Sequence, residues 1–368
     1  MHPRTVQETL NQLKPTQTCQ ELPRPAFTPN SSAERVVLGV ESMKRHMTDE
    51  GWQITNGLAC QGYRHCGYNL DYPQTNVRKI IEHTNPSVVV VQDIREWDVQ
   101  PGNFREPEAR FENIQALQYH NSLNVTILKD AHQNPLYHRQ AAIDMACHAW
   151  IVYYHPRIVK RIAPYVREQD LIRTYHSLDL DHVPEWNKYR DKVVMSGAVS
   201  AAYPLRQRMR QFQTKLGMTW LNHPGYHRKG CCTPDYMQFL SNFKVAVCTS
   251  SRYGYALRKI IEATAAGCQV VTDLPTDEVL PEIDGNLIRV HPDINMNLLR
   301  CTLEEAVANY DLERQHDFAF KAQFRYNYVT VSTHLANALE DKRIEYNARA
   351  RMSVSNGSPQ PTATGQVS

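Results

Sequence analysis

The sequence predicts an α/β protein of two doubly wound domains that face each other across a cleft, followed by a long C-terminal helical segment. Three observations carry that expectation. Short apolar runs rich in Val and Ile alternate with stretches of helical period, the alternation restarts at Lys192, and 368 residues exceed what one hydrophobic core usually holds. Strands alternating with helices point to parallel sheets, because parallel neighbours need a long crossover that a helix fills.

Residues 1–34 are rich in Pro, Thr, Ser and Gln and read as a flexible lead-in. Strands are expected at 36–40, 87–92, 124–128 and 149–153, with helices at 76–84 (NVRKIIEHT) and 136–148 (LYHRQAAIDMACH). Residues 167–190, with Asp179, Asp181, Pro184 and Trp186, read as a loop-like linker that completes a first domain over 35–190. The second domain, 191–310, opens with the strand KVVMS at 192–196, then a helix at 203–214, a strand at 218–221 and a helix at 234–242. It continues with the strand FKVAVC (243–248), a helix at 255–266, the strand QVVT (269–272), a helix at 276–281, a strand at 287–290 and a helix at 295–308. From 311 to 352 the pattern is helical, with Val331, Leu335, Leu339 and Ile344 as an apolar stripe, and 353–368 is a polar, unpatterned tail expected to be disordered.

Composition narrows the function classes. A formal net charge of +3 argues against a surface built to hold nucleic acid by charge alone, while leaving room for a local basic groove. The nine cysteines are an odd set, as in a reduced, intracellular protein, and Cys60, Cys66, Cys231 and Cys232 lack the CxxC spacing of a zinc site. The N-terminus has no signal-peptide pattern and no apolar run is long enough to span a bilayer, so a soluble, cytoplasmic protein without a metal is expected.

The chemistry concentrates in SSRYGYALRKIIEATAAGCQVVTDLP, residues 250–275. On a 3.6-residue wheel Ala256, Leu257, Ile260, Ile261, Thr264 and Ala265 share one side, and Arg258, Lys259 and Glu262 the other. Strand, turn, helix, Gly267 and strand form a βαβ unit whose turn, 249–255, offers backbone N–H groups at a positive helix end, a place where phosphate binds. The same pattern fits an ordinary crossover in which Arg258 and Glu262 form an exposed i,i+4 pair.

Upstream, SGAVSAAYPLRQRM (196–209) gives a small-residue turn after a strand and then a helix with Arg206 in its first turn, placed to grip a phosphate; Arg208 and Arg210 read as a solvated face. Ligands of doubly wound folds bind beyond the carboxyl ends of strands. The polar residues there include Glu41, Ser42, Asp93, Arg95, Asp130, His132 and His155 in the first domain, and His223 in the second. Asp130 and His132 suit either a general base with its orienting partner or a helix cap and turn. Asp179 and Asp181 have a DxD spacing, but in a polar connector without a strand to aim them at a diphosphate.

The stretch YMQFLSNFKVAVCTSSRYGYALRKIIEATAAGCQVVTDLP resembles the C-terminal nucleotide-sugar-binding half of GT-B glycosyltransferases, especially the loose group of CgeB-like spore-maturation and family 1/4-type transferases. SGAVSAAYPLRQRM is similar to the loop and helix that open that half, so the likeness covers about residues 192–292. It implies two Rossmann-like domains and transfer of a hexosyl or pentosyl group from a nucleotide-diphosphate sugar, UDP-linked, without a metal. By the resemblance Glu262 holds the ribose hydroxyls, Arg206 and Lys259 face the diphosphate, and the turn Tyr253, Gly254, Tyr255 supplies backbone donors. Gly197, Ser251 and Arg258 complete the implied donor site. Many retaining members carry a glutamate where this chain has Gly254, which leaves Asp130, His132 and Asp93 as candidates for acceptor-side chemistry. The acceptor is a glycan, a small molecule or a nucleic-acid base. The alternatives are a nucleotide- or glycan-binding protein without turnover and a DNA-base-modifying transferase.

Overall fold

The computed structural model describes residues 31–40, 49–68, 77–91, 117, 120–128, 146–163, 166–187, 189–222 and 233–355. Strands β1 (Arg35–Val40), β2 (Arg64–Tyr68), β3 (Val88–Val91), β4 (Leu123–Leu128), β5 (Ala149–Val152) and β6 (Leu171–Arg173) form one sheet in the order β2-β1-β3-β4-β5-β6. Strands β7 (Asp191–Ser196), β8 (Thr219–Leu221), β9 (Phe243–Val247), β10 (Gln269–Thr272) and β11 (Leu287–Arg289) form a second, in the order β11-β10-β9-β7-β8. Every pairing in both sheets is parallel. Parallel strands covered by helices on both faces are apolar along their whole length, which is why VVVV, LNVTIL and AWIV are buried at every position.

Among the described residues the α-helices are α1 (Glu50–Ala59), α2 (Val77–Thr84), α3 (Pro156–Ile162), α4 (Pro204–Gln211), α5 (Gln213–Leu216), α6 (Thr233–Leu240), α7 (Arg258–Ala265), α8 (Met296–Ala308), α9 (Leu312–Tyr326) and α10 (Tyr328–Ser355). Helix α9 adds Ala322 and Tyr326 to the core of the second sheet, whereas α10 carries Leu335, Leu339 and Tyr346 back into the core of the first. The two crossings run side by side: Leu178 N–H donates to Tyr326 O (2.7 Å) and Tyr328 N–H to Leu178 O (2.8 Å). Helix α10 lies close against α1 at Gly57, where an added Cβ would overlap Ser332 Oγ and stand 2.8 Å from Tyr328 O.

Some elements differ from expectation. Strand β6 lies inside the stretch read as a linker, and β2, RHCGY, has no apolar run. Both are edge strands, which pair on one side only and need less apolar sequence. Helices α1 and α3 form where the sequence pattern does not predict them; in α1 the two glycines of EGWQITNGLA blur the helical period. No helix forms at 276–281, between Pro275 and Pro281, where the chain makes turns instead. Helix α7 begins at Arg258 rather than 255, because Gly254 has φ +72° and Leu257 is extended. Ile344, expected in the apolar stripe, is 55 % exposed, and Tyr346 takes its place, its hydroxyl donating to His148 O (2.5 Å). The expected helix at 136–148 falls largely outside the described residues.

Candidate functional site

Both sheets share one winding, so the chain reverses its direction of travel across the sheet between β1 and β3 and again between β7 and β9. In doubly wound folds the crevice for a ligand opens at that reversal, beyond the carboxyl ends of the strands. At the second reversal β7 ends on Ser196 and runs into Gly197, while β9 runs into Cys248 and Thr249. Two basic side chains converge there from different helices.

Arg206 comes from the first turn of α4, which Pro204 opens at a position where a missing N–H is harmless. Only 2 % exposed, it donates from Nε and Nη2 to Thr249 Oγ1 (3.1 and 2.9 Å) and from Nη1 to Ala198 O (2.9 Å). Its guanidinium lies 4.1 Å from the centre of the Tyr203 ring. Lys259, from the first turn of α7, brings Nζ to 3.4 Å from Ser196 Oγ. Gly197 makes room for both head groups: with φ +114° it adopts a backbone that favours glycine, and a Cβ would sit 2.5 Å from Arg206 Nη1 and 2.5 Å from Lys259 Nζ.

No carboxylate neutralises this pair within ion-pair distance among the described residues. The nearby acids of higher pKa remain protonated: burial pushes the Cys248 thiol up to about 12 and raises the Tyr236 hydroxyl, which shares a 2.7 Å hydrogen bond with Ser196 Oγ. Asp273 is occupied by Ser250 N–H (2.5 Å). Burial, then the charge of Arg206, pulls Lys259 down to about 8, and burial also lowers Arg206. Two cations held together, one buried and one part-buried, at a cost in free energy make a seat for a compact anion.

Glu262 stands one turn beyond Lys259 on α7 and is buried, with its carboxyl raised by desolvation. Its partner is Arg258, whose Nε lies 3.1 Å from Glu262 Oε1 and whose Nη1 donates to Asp49 Oδ1 at the start of α1. The polar side of α7 therefore meets the first domain. The Arg258–Glu262 pair, which the sequence also allows on an exposed face, is buried, and Arg258 is turned from the cradle toward Asp49.

The turn before α7 also differs from what the resemblance implies. The N–H groups of Tyr253 and Gly254 donate to Ser251 Oγ (3.2 Å) and Ser251 O (2.8 Å), and that of Arg252 to Ala202 O (2.7 Å), so they hold the turn together and tie it to 197–203. Ser251 thus acts as an internal brace. Tyr255 is buried in the core of the first sheet, its ring 4.3 Å from that of Tyr154. The structure brings together Gly197, Arg206, Lys259 and Glu262.

Asp93, Asp130 and His132 lie outside the described residues, as do Glu41, Ser42, Arg95 and His223. His155 caps α3, its ring accepting from Arg157 N–H (3.3 Å), and its own N–H donates to Glu278 Oε2 (3.1 Å). Asp179 accepts from Asp181 N–H (3.1 Å) in a short turn, and Asp181 is exposed. Among the described residues no group of three or more His, Cys, Asp or Glu stands where it could hold a metal ion, and no helix is long and apolar enough to cross a membrane. Sequence reasoning missed Asp49 and Thr249. Thr249 ends a legible strand and was readable by that position; Asp49 precedes a helix that the pattern did not reveal.

No protein-family model and no curated protein matches the chain by sequence. Solved structures do match by shape. Sucrose-phosphate synthase from Thermosynechococcus elongatus superposes with a TM-score of 0.54 at 12 % identity, over 85 % of this chain and 100 % of that one. The Anabaena protein HepE in complex with UDP gives 0.51 at 13 % identity, over 83 % and 100 %. The chain has the GT-B fold. A third GT-B structure, an alpha-glucosyltransferase in complex with UDP and a 13-mer DNA containing an HMU base, gives 0.51 at 9 % identity, over 84 % and 100 %.

Proposed function

We propose that the protein is a glycosyltransferase that takes a sugar from a UDP-linked donor, binding the diphosphate between Arg206 and Lys259 and the ribose hydroxyls at Glu262. The observation that carries this reading is the convergence of a buried arginine and a part-buried lysine on Gly197 at the β7/β9 reversal. Charge develops on the leaving diphosphate as the glycosidic bond breaks, and pre-placed cations stabilise it without reorganising. The acceptor approaches from the first domain, where Asp130, His132 and Asp93 are the proposed groups for its activation.

Calorimetric titration with UDP tests the site. Glu262→Gln is expected to weaken UDP binding about tenfold, the worth of hydrogen bonds to a charged group. If it and Arg206→Ala both leave UDP affinity at the wild-type value, the site assignment fails.

The lysine adds a pH signature. With its pKa near 8 in the free protein, Lys259 is mostly charged at pH 7, and a bound diphosphate raises that pKa, so binding takes up a proton at higher pH. UDP affinity is expected to be flat from pH 7 to about 8 and then to fall by up to about tenfold per pH unit, a fall that Lys259→Arg removes. Affinity that stays level to pH 9.5 in the wild type contradicts the lysine's role.

A second reading, a binder without turnover, draws on Gly254. A Cβ there would stand 3.0 Å from Pro275 Cγ on a φ of +72°, a poor place for the glutamate of many retaining transferases. Release of free UDP from a panel of UDP-sugars separates the two readings.

A further inference from the structure

We propose that Asp49 is a positioning residue for Glu262, acting through Arg258 across the domain interface, so that ribose recognition requires the two domains to be closed on each other. The inference rests on the reading of Glu262 as the ribose-binding carboxylate.

The geometry is a relay of buried charges. Asp49 stands at the N-cap position of α1 in the first domain without a side-chain capping bond, and Arg258 and Glu262 lie on α7 in the second. Arg258 stands between the two carboxylates: Nη1 donates to Asp49 Oδ1, while Nε lies 3.1 Å from Glu262 Oε1 as an ion pair without a hydrogen bond. A guanidinium has donors enough to grip both oxygens of one carboxylate in a parallel fork. Without Asp49, Arg258 is free to close on Glu262 alone and to compete with a ligand's hydroxyls. With Asp49 in place the guanidinium is drawn toward α1. Burial alone would lower the arginine's proton affinity, yet Asp49 first and Glu262 next raise it above its ordinary value.

Asp49 is itself held fast. Gln53 Nε2 donates to its Oδ2 (3.1 Å), Gln53 Oε1 accepts from Ser177 Oγ (2.7 Å), and His182 Nδ1 lies 3.4 Å from Oδ2. The next residue, Glu50, pairs with His176, whose ring stacks on Tyr153 at 4.5 Å. Ser177 and His176 belong to the strip beside the chain crossing at Leu178, so the carboxylate is anchored near the crossing and not on a mobile surface. A side chain fixed on one domain and aimed at the ribose clamp of the other reports whether the domains are together.

The test compares calorimetric affinities for UDP and for 2′,3′-dideoxy-UDP, which lacks the hydroxyls, in wild type, Asp49→Asn and Glu262→Gln. Wild type is expected to prefer UDP by about tenfold. Asp49→Asn should bring that preference to within about twofold while affinity for the dideoxy compound stays at its wild-type value, a pattern that simple loss of stability does not produce. If Asp49→Asn keeps the full preference while Glu262→Gln loses it, the positioning role is wrong and the ribose reading stands. If wild type does not bind UDP, or binds both compounds alike, or Glu262→Gln keeps the preference, the ribose reading itself falls and takes the inference with it. Should Asp49→Asn fail to fold, Arg258→Lys measures the same ratio, and an unchanged preference there overturns the relay.

Discussion

Arg206→Ala is expected to lower UDP affinity by about 100-fold, the largest loss of any single substitution in the cradle. Charge-assisted hydrogen bonds from a desolvated guanidinium are each worth about 1.5–3 kcal/mol, and two phosphate oxygens are within its fork's capacity. The substitution also removes the donors that meet Thr249 Oγ1 and Ala198 O, so the 197–203 turn loses its anchor to β9. Arg206→Lys separates the two contributions: it restores the charge but not the planar fork, and should recover only part of the loss. The measurement is UDP titration alongside thermal unfolding. A drop in melting temperature with unaltered UDP affinity would make Arg206 a structural arginine only.

The second large effect is on stability. Gly57→Ala should destabilise the fold by about 1–3 kcal/mol, the usual cost of overpacking, and Gly57→Val by more. In an exposed helix the alanine would instead stabilise by about 1 kcal/mol. The two forces oppose each other, and packing wins because the space for a Cβ is already taken by Ser332 Oγ and by the main-chain oxygen of Tyr328. Urea unfolding of Gly57→Ala decides the matter, since a midpoint at or above the wild-type value would mean that α1 and α10 are able to move apart freely. Ser332→Gly in the same background should recover part of the loss by making room.

How much was legible follows from where each residue stands. The central strands β3, β4, β5 and β9 announce themselves, because burial on both faces demands continuous apolar runs. The edge strands β2 and β6 carry no such demand, and α1 hides its period behind Gly51 and Gly57, the latter small because another helix presses on it. In the candidate site Gly197 is readable from its place just after a strand, and Arg206 and Lys259 from the first turns of the helices that follow. The fate of Arg258 is not: its partner Asp49 is 209 positions away in sequence, and no local pattern records a contact of that range. Tyr255 is a similar case. Ala256 beside it packs in the second core, and only the fold reveals that the Tyr255 ring, with Tyr253 and Leu257, packs into the core of the first.

The return of α10 to the first sheet has a consequence for how the chain is made. Leu335, Leu339 and Tyr346 are among the last described residues to leave a ribosome, yet they close a core whose strands emerge first. The opening half must therefore wait, with its apolar face incomplete, until the remainder has been synthesised. Domains that fold as they emerge escape this exposure, whereas here the contacts that finish the first core span some 300 positions, as between Arg35 and Glu340, 305 apart. Truncation just before α10 should accordingly yield a chain that aggregates through its first half even though the second half is intact.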